Sequence, residues 1–510
     1  MKNIHVTPEY VKTELMQQFS AALDTLFQLV DADSTPRQME EATWNTVLSV
    51  GASTLGALFG SACLKKTKQD IAQRELPQSR VHMRMDQDYW ATLTSTFGAV
   101  IFPWCAYREL GGNGASVTRN PAQDLFPGQK SCRSTPLCLE WETWLGSDYP
   151  FRSAQEALTY FTHGAVRLED TTIERHMVSV GELVTRDFLY RTPEEIQEIL
   201  LTRATRDRET NLPLLYASSD AHALRRYVDA TWAAQWKMAN GIRLWCEDQK
   251  TGQVIHLGGE FTWGDCHEVQ KIFKDLIARG ILTSDGMYEN GIQAQLVWLS
   301  DGMPWFKDYI IPLFTHIVVI LDVYHLLHAF AAFFALCFTP QSKQSRIWLA
   351  RVATLAVGPC PPKKAPKLRG GPRRGTTGSS HGHAHNRPVD LNADPVQQVI
   401  QLLLLVFQAP TPTEKAQAIQ SRLFFFLFCD PNRVNYLAFR ARGYQIGSGA
   451  MESLHRTGSQ KRLKLPGASW LERTSQAVFN IRMMRLAGNY NRFWNQPDLL
   501  KHFSSSKQPI

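Results

Sequence analysis

Leu214-Leu215-Tyr216-Ala217-Ser218-Ser219-Asp220 is an apolar run that turns polar at its end, and its reading decides the fold. A short apolar run of this kind, bounded by turn residues, is the pattern of a strand buried on both faces. Gly241-Ile242-Arg243-Leu244-Trp245-Cys246 and Val254-Ile255-His256-Leu257-Gly258-Gly259 read as two more strands, joined through a turn at Lys250-Thr251-Gly252. An amphipathic helix is expected over about 265–280, followed by a strand at Gln295-Leu296-Val297-Trp298-Leu299-Ser300-Asp301. Strands, then a helix, then another strand describe a mixed α/β sheet in which Asp220 and Asp301 each close a strand.

The flanks differ in character. Residues 1–85 read as a helical N-terminal region, with apolar residues at helical spacing around Leu15–Leu29 and Thr43–Leu64. Gly51, Gly56 and Gly60 within it predict a close packing surface. Residues 86–152, rich in Gly, Pro and Asn, form an irregular or small mixed module, and Cys105, Cys132 and Cys138 there fit no zinc spacing. Over 153–205, a helix starting at Ser153 is broken by Gly164, and Asp170 or Thr171 is placed to cap the next. A helix-turn-helix here would set Thr171, Thr172, Arg175 and His176 near DNA; plain helical packing is the alternative.

Residues 206–325 form the first part of the α/β domain, 326–440 a helical insertion, 441–495 the returning part of that domain, and 496–510 a tail. Within the insertion, 358–388 holds seven Lys/Arg, three His and no acidic residue, a flexible basic loop able to touch a phosphate backbone. His381, His383 and His385 read as solvated there. Residues 310–338 are apolar, but Asp322, His316, His325 and His328 across the middle argue for a core segment against a membrane span.

Composition narrows the class. With 44% hydrophobic and 11% aromatic residues over 510 positions, the chain is globular and multi-domain. A net charge of +8 permits nucleic-acid binding without demanding it. Nine cysteines without a Cys-x-x-Cys pair argue against a zinc ribbon or a disulfide scaffold, and point to a reducing cytoplasm.

The chemistry-bearing residues are three acids. Asp220 and Asp301 end strands, and Glu452 follows Gly447-Ser448-Gly449 and opens a helix carrying Arg456, Lys461, Arg462 and Lys464. Phosphodiester cleavage employs two Mg²⁺ (or Mn²⁺) ions held by a few carboxylates, activating attacking and leaving oxygens. Taken singly, each acid also reads as a turn, cap or macrodipole residue. Arg442 and the helix cations can hold phosphates or form a solvated face.

A family resemblance rests on four blocks. Leu299-Ser300-Asp301-Gly302-Met303-Pro304-Trp305, Ile320-Leu321-Asp322-Val323-Tyr324-His325 and Ile446-Gly447-Ser448-Gly449-Ala450-Met451-Glu452-Ser453 occur in this order. Trp470-Leu471-Glu472-Arg473, then Ala477–Arg482 and Tyr490-Asn491-Arg492-Phe493-Trp494, close the series. Together they resemble the ISKra-type insertion-sequence transposases, bacterial DDE enzymes related to the Mutator-like group, over about 150–495. The resemblance implies an RNase H-like α/β catalytic core with a large helical insertion. It implies Asp220, Asp301 and Glu452 as catalytic metal ligands, with Asp229 the rival to Asp220 for the first aspartate. Asp322 and His325 share a helix face in this reading, supporting the site or bonding each other in the core, while His328 packs in the core. Expected partners are transposon-end and target DNA and further copies of the chain, with no membrane, at the bacterial nucleoid. The expected activity is DNA cleavage and strand transfer. A non-catalytic DNA-binding derivative and a structure-specific nuclease of the same fold are the rivals.

Overall fold

The computed structural model describes residues 8–32, 34–84, 90–110, 115–121, 125, 133–228, 233–289, 291–358, 395–428, 431–496 and 499. Asp229, Cys132 and nearly all of the basic stretch 358–388 with its three histidines lie outside them. The chain is a mixed α/β protein that divides into two compact units. The first comprises Met1–Leu189, Arg226–Ala234 and Gly458–Ile510; the second comprises Tyr190–Arg225 and Gln235–Thr457.

The first unit begins with the helices α1 (Pro8–Asp31) and α2 (Pro36–Gln73). Thr35 starts α2 with a capping box, its hydroxyl accepting from Gln38 N–H while the Gln38 side chain accepts from Thr35 N–H, and Pro36 fits the first turn. The predicted glycine run lies against a strand: a Cβ on Gly56 would come 2.7 Å from the Ile101 carbonyl oxygen, and one on Gly60 3.1 Å from Pro103. By length and composition α2 could cross a membrane, whereas 310–338 is no single helix.

The stretch read as irregular carries β1 (Val81–Arg84), β2 (Trp90–Ser95), β3 (Gly98–Pro103), β4 (Ala106–Leu110) and β5 (Ser116–Arg119). They pair as a β2–β3 hairpin and a β1-β4-β5 sheet. Single-sequence patterning misses them because the strands are short and half-exposed. Helices α3 (Pro136–Asp148), α4 (Phe151–Phe161), α5 (Asp170–Leu183) and α6 (Arg186–Leu189) complete its N-terminal part.

The second unit opens with α7 (Pro193–Thr202), again behind a capping box from Thr192 and Glu195. Its sheet is built from β6 (Leu214–Val228), β7 (Ala233–Glu247), β8 (Val254–Thr262), β9 (Gln295–Ser300) and β10 (Ile317–Leu321), in the order β10-β9-β6-β7-β8. β9 runs parallel to both β10 and β6, and β8 runs antiparallel to β7. Helix α8 (Cys266–Ala278), capped by Asp265, buries Val269, Ile272, Phe273 and Leu276. Phe273 lies 5.0 Å from Trp298, ring to ring. Val297 and Leu299, on the other face of β9, join a separate core with Phe330, Phe333 and Phe334. β9 is therefore covered on both sides, which is why it reads as a continuous apolar run.

α9 (Trp305–Tyr309) packs beside Trp298, with Phe306 4.7 Å away ring to ring, while that separate core is supplied by α10 (Val323–Cys337), α11 (Lys343–Val357), α12 (Pro395–Gln408), α13 (Glu414–Phe428) and α14 (Tyr436–Arg442). α15 (Gly449–Leu454) ends the unit, and a π-helical turn over His455–Gln460 follows.

Two expectations are corrected here. Asp220 does not end its strand, because β6 continues eight residues further to Val228. The polar Ser218-Ser219-Asp220 stretch is still ladder backbone, since hydrogen bonding and not polarity sets where a strand stops. His328 is exposed on α10 instead of packing in the core.

The C-terminal helices α16 (Lys461–Leu463), α17 (Glu472–Leu486) and α18 (Tyr490–Trp494) return to the first unit. α5 packs lengthwise on α17 and on α3, and leaves Thr171 and Arg175 on its exposed side. Its N-cap is Glu169, without a side-chain capping bond, and Asp170 instead sits in the first turn. His176 of α5 is buried, and its Nδ1 lies 2.6 Å from Glu142 Oε2, so it is a core residue and not a DNA contact.

Candidate active site

The register of the second unit's sheet sets the acids at one level. β6 pairs with β9 from Leu214 opposite Gln295 to Ala217 opposite Trp298, an offset of 81 (295 − 214) that also separates Asp220 from Asp301 (301 − 220). β10 pairs with β9 from Ile317 opposite Leu296 to Leu321 opposite Ser300, an offset of 21 (317 − 296) that also separates Asp322 from Asp301 (322 − 301). Continued past the paired residues, these offsets bring Asp220, within β6, level with Asp301 and Asp322, each the residue just after its strand. Two hydrogen bonds hold the level: Ser218 Oγ donates to the Leu299 carbonyl at 2.8 Å, and Asp322 N–H donates to the Ser300 carbonyl at 2.8 Å.

Local turns aim the first two. Asp301 Oδ1 accepts from Met303 N–H at 3.0 Å, and Gly302 N–H donates to Ser300 Oγ at 3.0 Å. Gly302 has φ +84°, and a Cβ there would meet Leu321 and Phe426 at 2.8 Å, so glycine alone fits. Asp220 Oδ1 accepts from its neighbour Ala221 N–H at 2.7 Å. Both carboxyls are held above the ordinary aspartate range. Burial is the main cause for each, and at Asp301 the charge of Asp220 adds to it; backbone N–H donors and His325 pull the other way.

Asp322 has a different task. It is fully buried, and its Oδ1 accepts from Tyr324 N–H at 2.6 Å and His325 N–H at 3.1 Å as the N-cap of α10. Its Oδ2 accepts from Ser448 N–H, while Val323 N–H donates to the Ile446 carbonyl at 3.0 Å. The expected Asp322–His325 partnership is therefore a backbone cap. The same carboxylate clamps the Gly447-Ser448-Gly449 turn that leads into α15.

Glu452 lies exposed in the first turn of α15, its N–H donating to the Ser448 carbonyl at 3.1 Å. Sequence reasoning missed a residue beside Asp220 that also feels the charge of Glu452, His455. Its ring is 5% exposed, with Nδ1 3.8 Å from Asp220 Oδ2 and within the field of Glu452. The His222 ring lies 4.5 Å away, centre to centre, with its plane tilted by 46°, and Phe261 lies at 5.7 Å. Burial pushes its pKa down to about 4, so the imidazole is neutral at pH 7. The available signal was spacing: three residues after Glu452 puts His455 on the same helix face.

Among the described residues, no three His, Cys, Asp or Glu side chains are drawn together tightly enough to form a metal cage by themselves. The donor set still fits Mg²⁺, which keeps several waters and takes one or two carboxylates plus substrate phosphates. Asp220 and Asp301 each commit one oxygen to a backbone N–H and repel one another, a setting that a cation relieves.

The expected phosphate contacts divide. Arg456, Lys461 and Lys464 are exposed, as is Arg175, which bonds the Thr171 carbonyl at 3.4 Å and Thr172 Oγ1 at 3.0 Å on its own helix. Arg442 is taken up by Asp207 and by Glu209 at 3.1 Å, and lies 5.0 Å over the Tyr444 ring. Arg462 is fully buried, its guanidinium between the rings of Phe151 at 4.8 Å and Trp470 at 4.6 Å, with Nε donating to the Gly146 carbonyl at 3.0 Å. Burial pushes its pKa down to about 10, still charged at pH 7. These two arginines are structural. Charge alone marks both kinds of arginine alike in a sequence; the flanking Trp470 was the clue to Arg462.

Arg462→Lys is accordingly expected to destabilise the first unit by on the order of 2 kcal/mol, because lysine lacks the planar face that stacks between rings. Thermal unfolding measures this, and DNA affinity of the folded variant should match the parent. A weaker affinity with unchanged melting would assign Arg462 to DNA after all.

No family model matches the chain, and no curated protein matches it. Among solved structures, it is similar to the Drosophila P element transposase strand transfer complex at 11% identity, over 72% of this chain and 93% of that chain, with a TM-score of 0.31. A superposition that loose carries no residue from one chain to the other.

Proposed function

We propose that this chain is a DDE-type transposase of the ISKra kind, with an RNase H-like core that cuts DNA and joins the released end to a target. The single observation that carries the reading is the parallel β6–β9 register, whose offset of 81, continued past Ala217 and Trp298, sets Asp220 level with Asp301. The strand order β10-β9-β6-β7-β8, with its three parallel members together, supports an RNase H-like sheet. A helical stretch lies between Asp301 and Glu452, as that reading requires.

In this mechanism the unbonded oxygens of Asp220 and Asp301 would hold two Mg²⁺ (or Mn²⁺) ions, with Glu452 as third acid from α15. Bound there, the metal supplies an activated water and stabilises charge on the scissile phosphate. His455, neutral and at the end of the helix that carries Glu452, sets that helix end against Asp220. Asp322 fixes the turn before α15 and so the direction from which Glu452 approaches. Arg175, Arg456, Lys461 and Lys464 offer charge to the DNA backbone, as does the basic stretch 358–388. The setting proposed is the bacterial cytoplasm, at the nucleoid.

Incubating the protein with Mg²⁺ and DNA spanning the ends of its own genetic element tests the reading. Cleavage followed by joining is the expected result. Cleavage without joining would leave a nuclease, and binding without cleavage a DNA-binding derivative.

A further inference from the structure

Helix α1 exposes more apolar surface than its neighbour uses. It packs along α2, and its half-buried Leu15, Ala22, Leu26 and Leu29 mark that seam. At about 100° per residue, a second stripe lies roughly 90° around the helix. It consists of Met16, Phe19, Leu23, Phe27 and Val30, which are 61, 43, 37, 69 and 59% exposed. Polar residues Gln17, Ser20, Asp24 and Gln28 begin only beyond it. Two apolar seams at about a right angle are what a helix shows when it packs on two neighbours in a four-helix arrangement.

The spacing of the second stripe says which neighbour. Its steps are 3, 4, 4 and 3 residues, symmetric about Leu23. A stripe that reads the same in both directions is its own complement when two copies run antiparallel about a two-fold axis. We propose that α1 is the dimerisation element of this protein, pairing antiparallel with the same helix of a second copy about an axis at Leu23. Met16 then meets the partner's Val30, Phe19 the partner's Phe27, and Leu23 the partner's Leu23. The five side chains expose roughly 500 Å² per copy, so their complete burial in a pair would remove about 1,000 Å² from water, the lower bound of a specific interface. The pairing stands on α1 alone and holds whatever the chain does to DNA.

Because Leu23 meets its own copy, a charge exchange tests the geometry in the full-length protein. Light scattering after gel filtration should give a dimer for the parent and monomers for Leu23→Glu and Leu23→Lys separately. An equimolar mixture of the two variants should return to a one-to-one dimer. Leu58→Glu, on α2 outside the stripe and 60% exposed, should stay dimeric. A monomeric parent, a dimeric Leu23→Glu, or a mixture that stays monomeric would each overturn the proposal. So would a monomeric parent that floats with phosphatidylcholine vesicles through Leu23, which would make the stripe a membrane contact.

Discussion

Asp301→Asn and Asp220→Asn, made singly, are expected to lower Mg²⁺-dependent DNA cleavage by roughly a thousandfold or more while leaving DNA affinity within about twofold. The loss follows from the charge: an amide keeps the shape and the N–H acceptor of each turn but binds a hard divalent cation poorly. Several kcal/mol of transition-state stabilisation, which a metal site typically supplies, corresponds to that factor. The same variants should be no less stable than the parent. Each carboxyl is held above its unfolded value chiefly by burial, so the ionised form costs the fold free energy at pH 7. The sign fixes the pH dependence. Stability associated with these two groups is fully present below the unfolded pKa of an aspartate and is lost as pH rises through the higher folded values. In Mg²⁺-free buffer the parent should therefore lose part of this stability between acid and neutral pH, and each Asn variant should lose less. Added Mg²⁺ should raise the melting temperature of the parent but not of the double variant. Retained cleavage by Asp301→Asn would remove the acid pair from the chemistry.

The sheet was legible because its central strands are unambiguous. Gln295–Ser300 and the hairpin around Gly252 read correctly, since their apolar runs are too short for an ordinary helix and are bounded by turn residues. The level of Asp220 with Asp301 was not legible, because register belongs to pairing between strands and no local pattern encodes it. Asp322 was read as a partner of His325 from the spacing of three. A cap and a catalytic pair produce the same Asp-x-x-His spacing, and only the burial of Asp322 and its bond to Ser448 separate them. The engagement of Arg442 and Arg462 within the protein was hidden for a related reason. Their counter-groups, Asp207 in one case and Phe151 with Trp470 in the other, are distant in sequence except for Trp470.

Asp322→Ala is expected to have the largest effect on the fold of the second unit and to abolish cleavage as a consequence. Three backbone N–H groups, those of Tyr324, His325 and Ser448, donate to this one fully buried carboxylate. Alanine leaves all three facing an apolar surround at about 1–3 kcal/mol each, of which local relaxation recovers part. Two of these three bonds are the N-cap of α10, whose loss alone typically costs about 1 kcal/mol. A net destabilisation on the order of 4 kcal/mol follows, a large share of what holds a typical domain folded. Asp322→Asn separates the two duties of the residue. Its remaining carbonyl can cap α10, but its amide then presents a donor to the Ser448 N–H, so the cap survives and the clamp on the Gly-Ser-Gly turn is lost. That variant should melt well above Asp322→Ala, yet hydrogen exchange should speed up at Ser448 and along α15. Cleavage should fall although Asp220 and Asp301 are untouched. If Asp322→Asn instead kept slow exchange at Ser448 and still failed to cleave, the carboxylate would have to act on the metal directly, and the division of labour between Asp322 and the other two aspartates would be wrong.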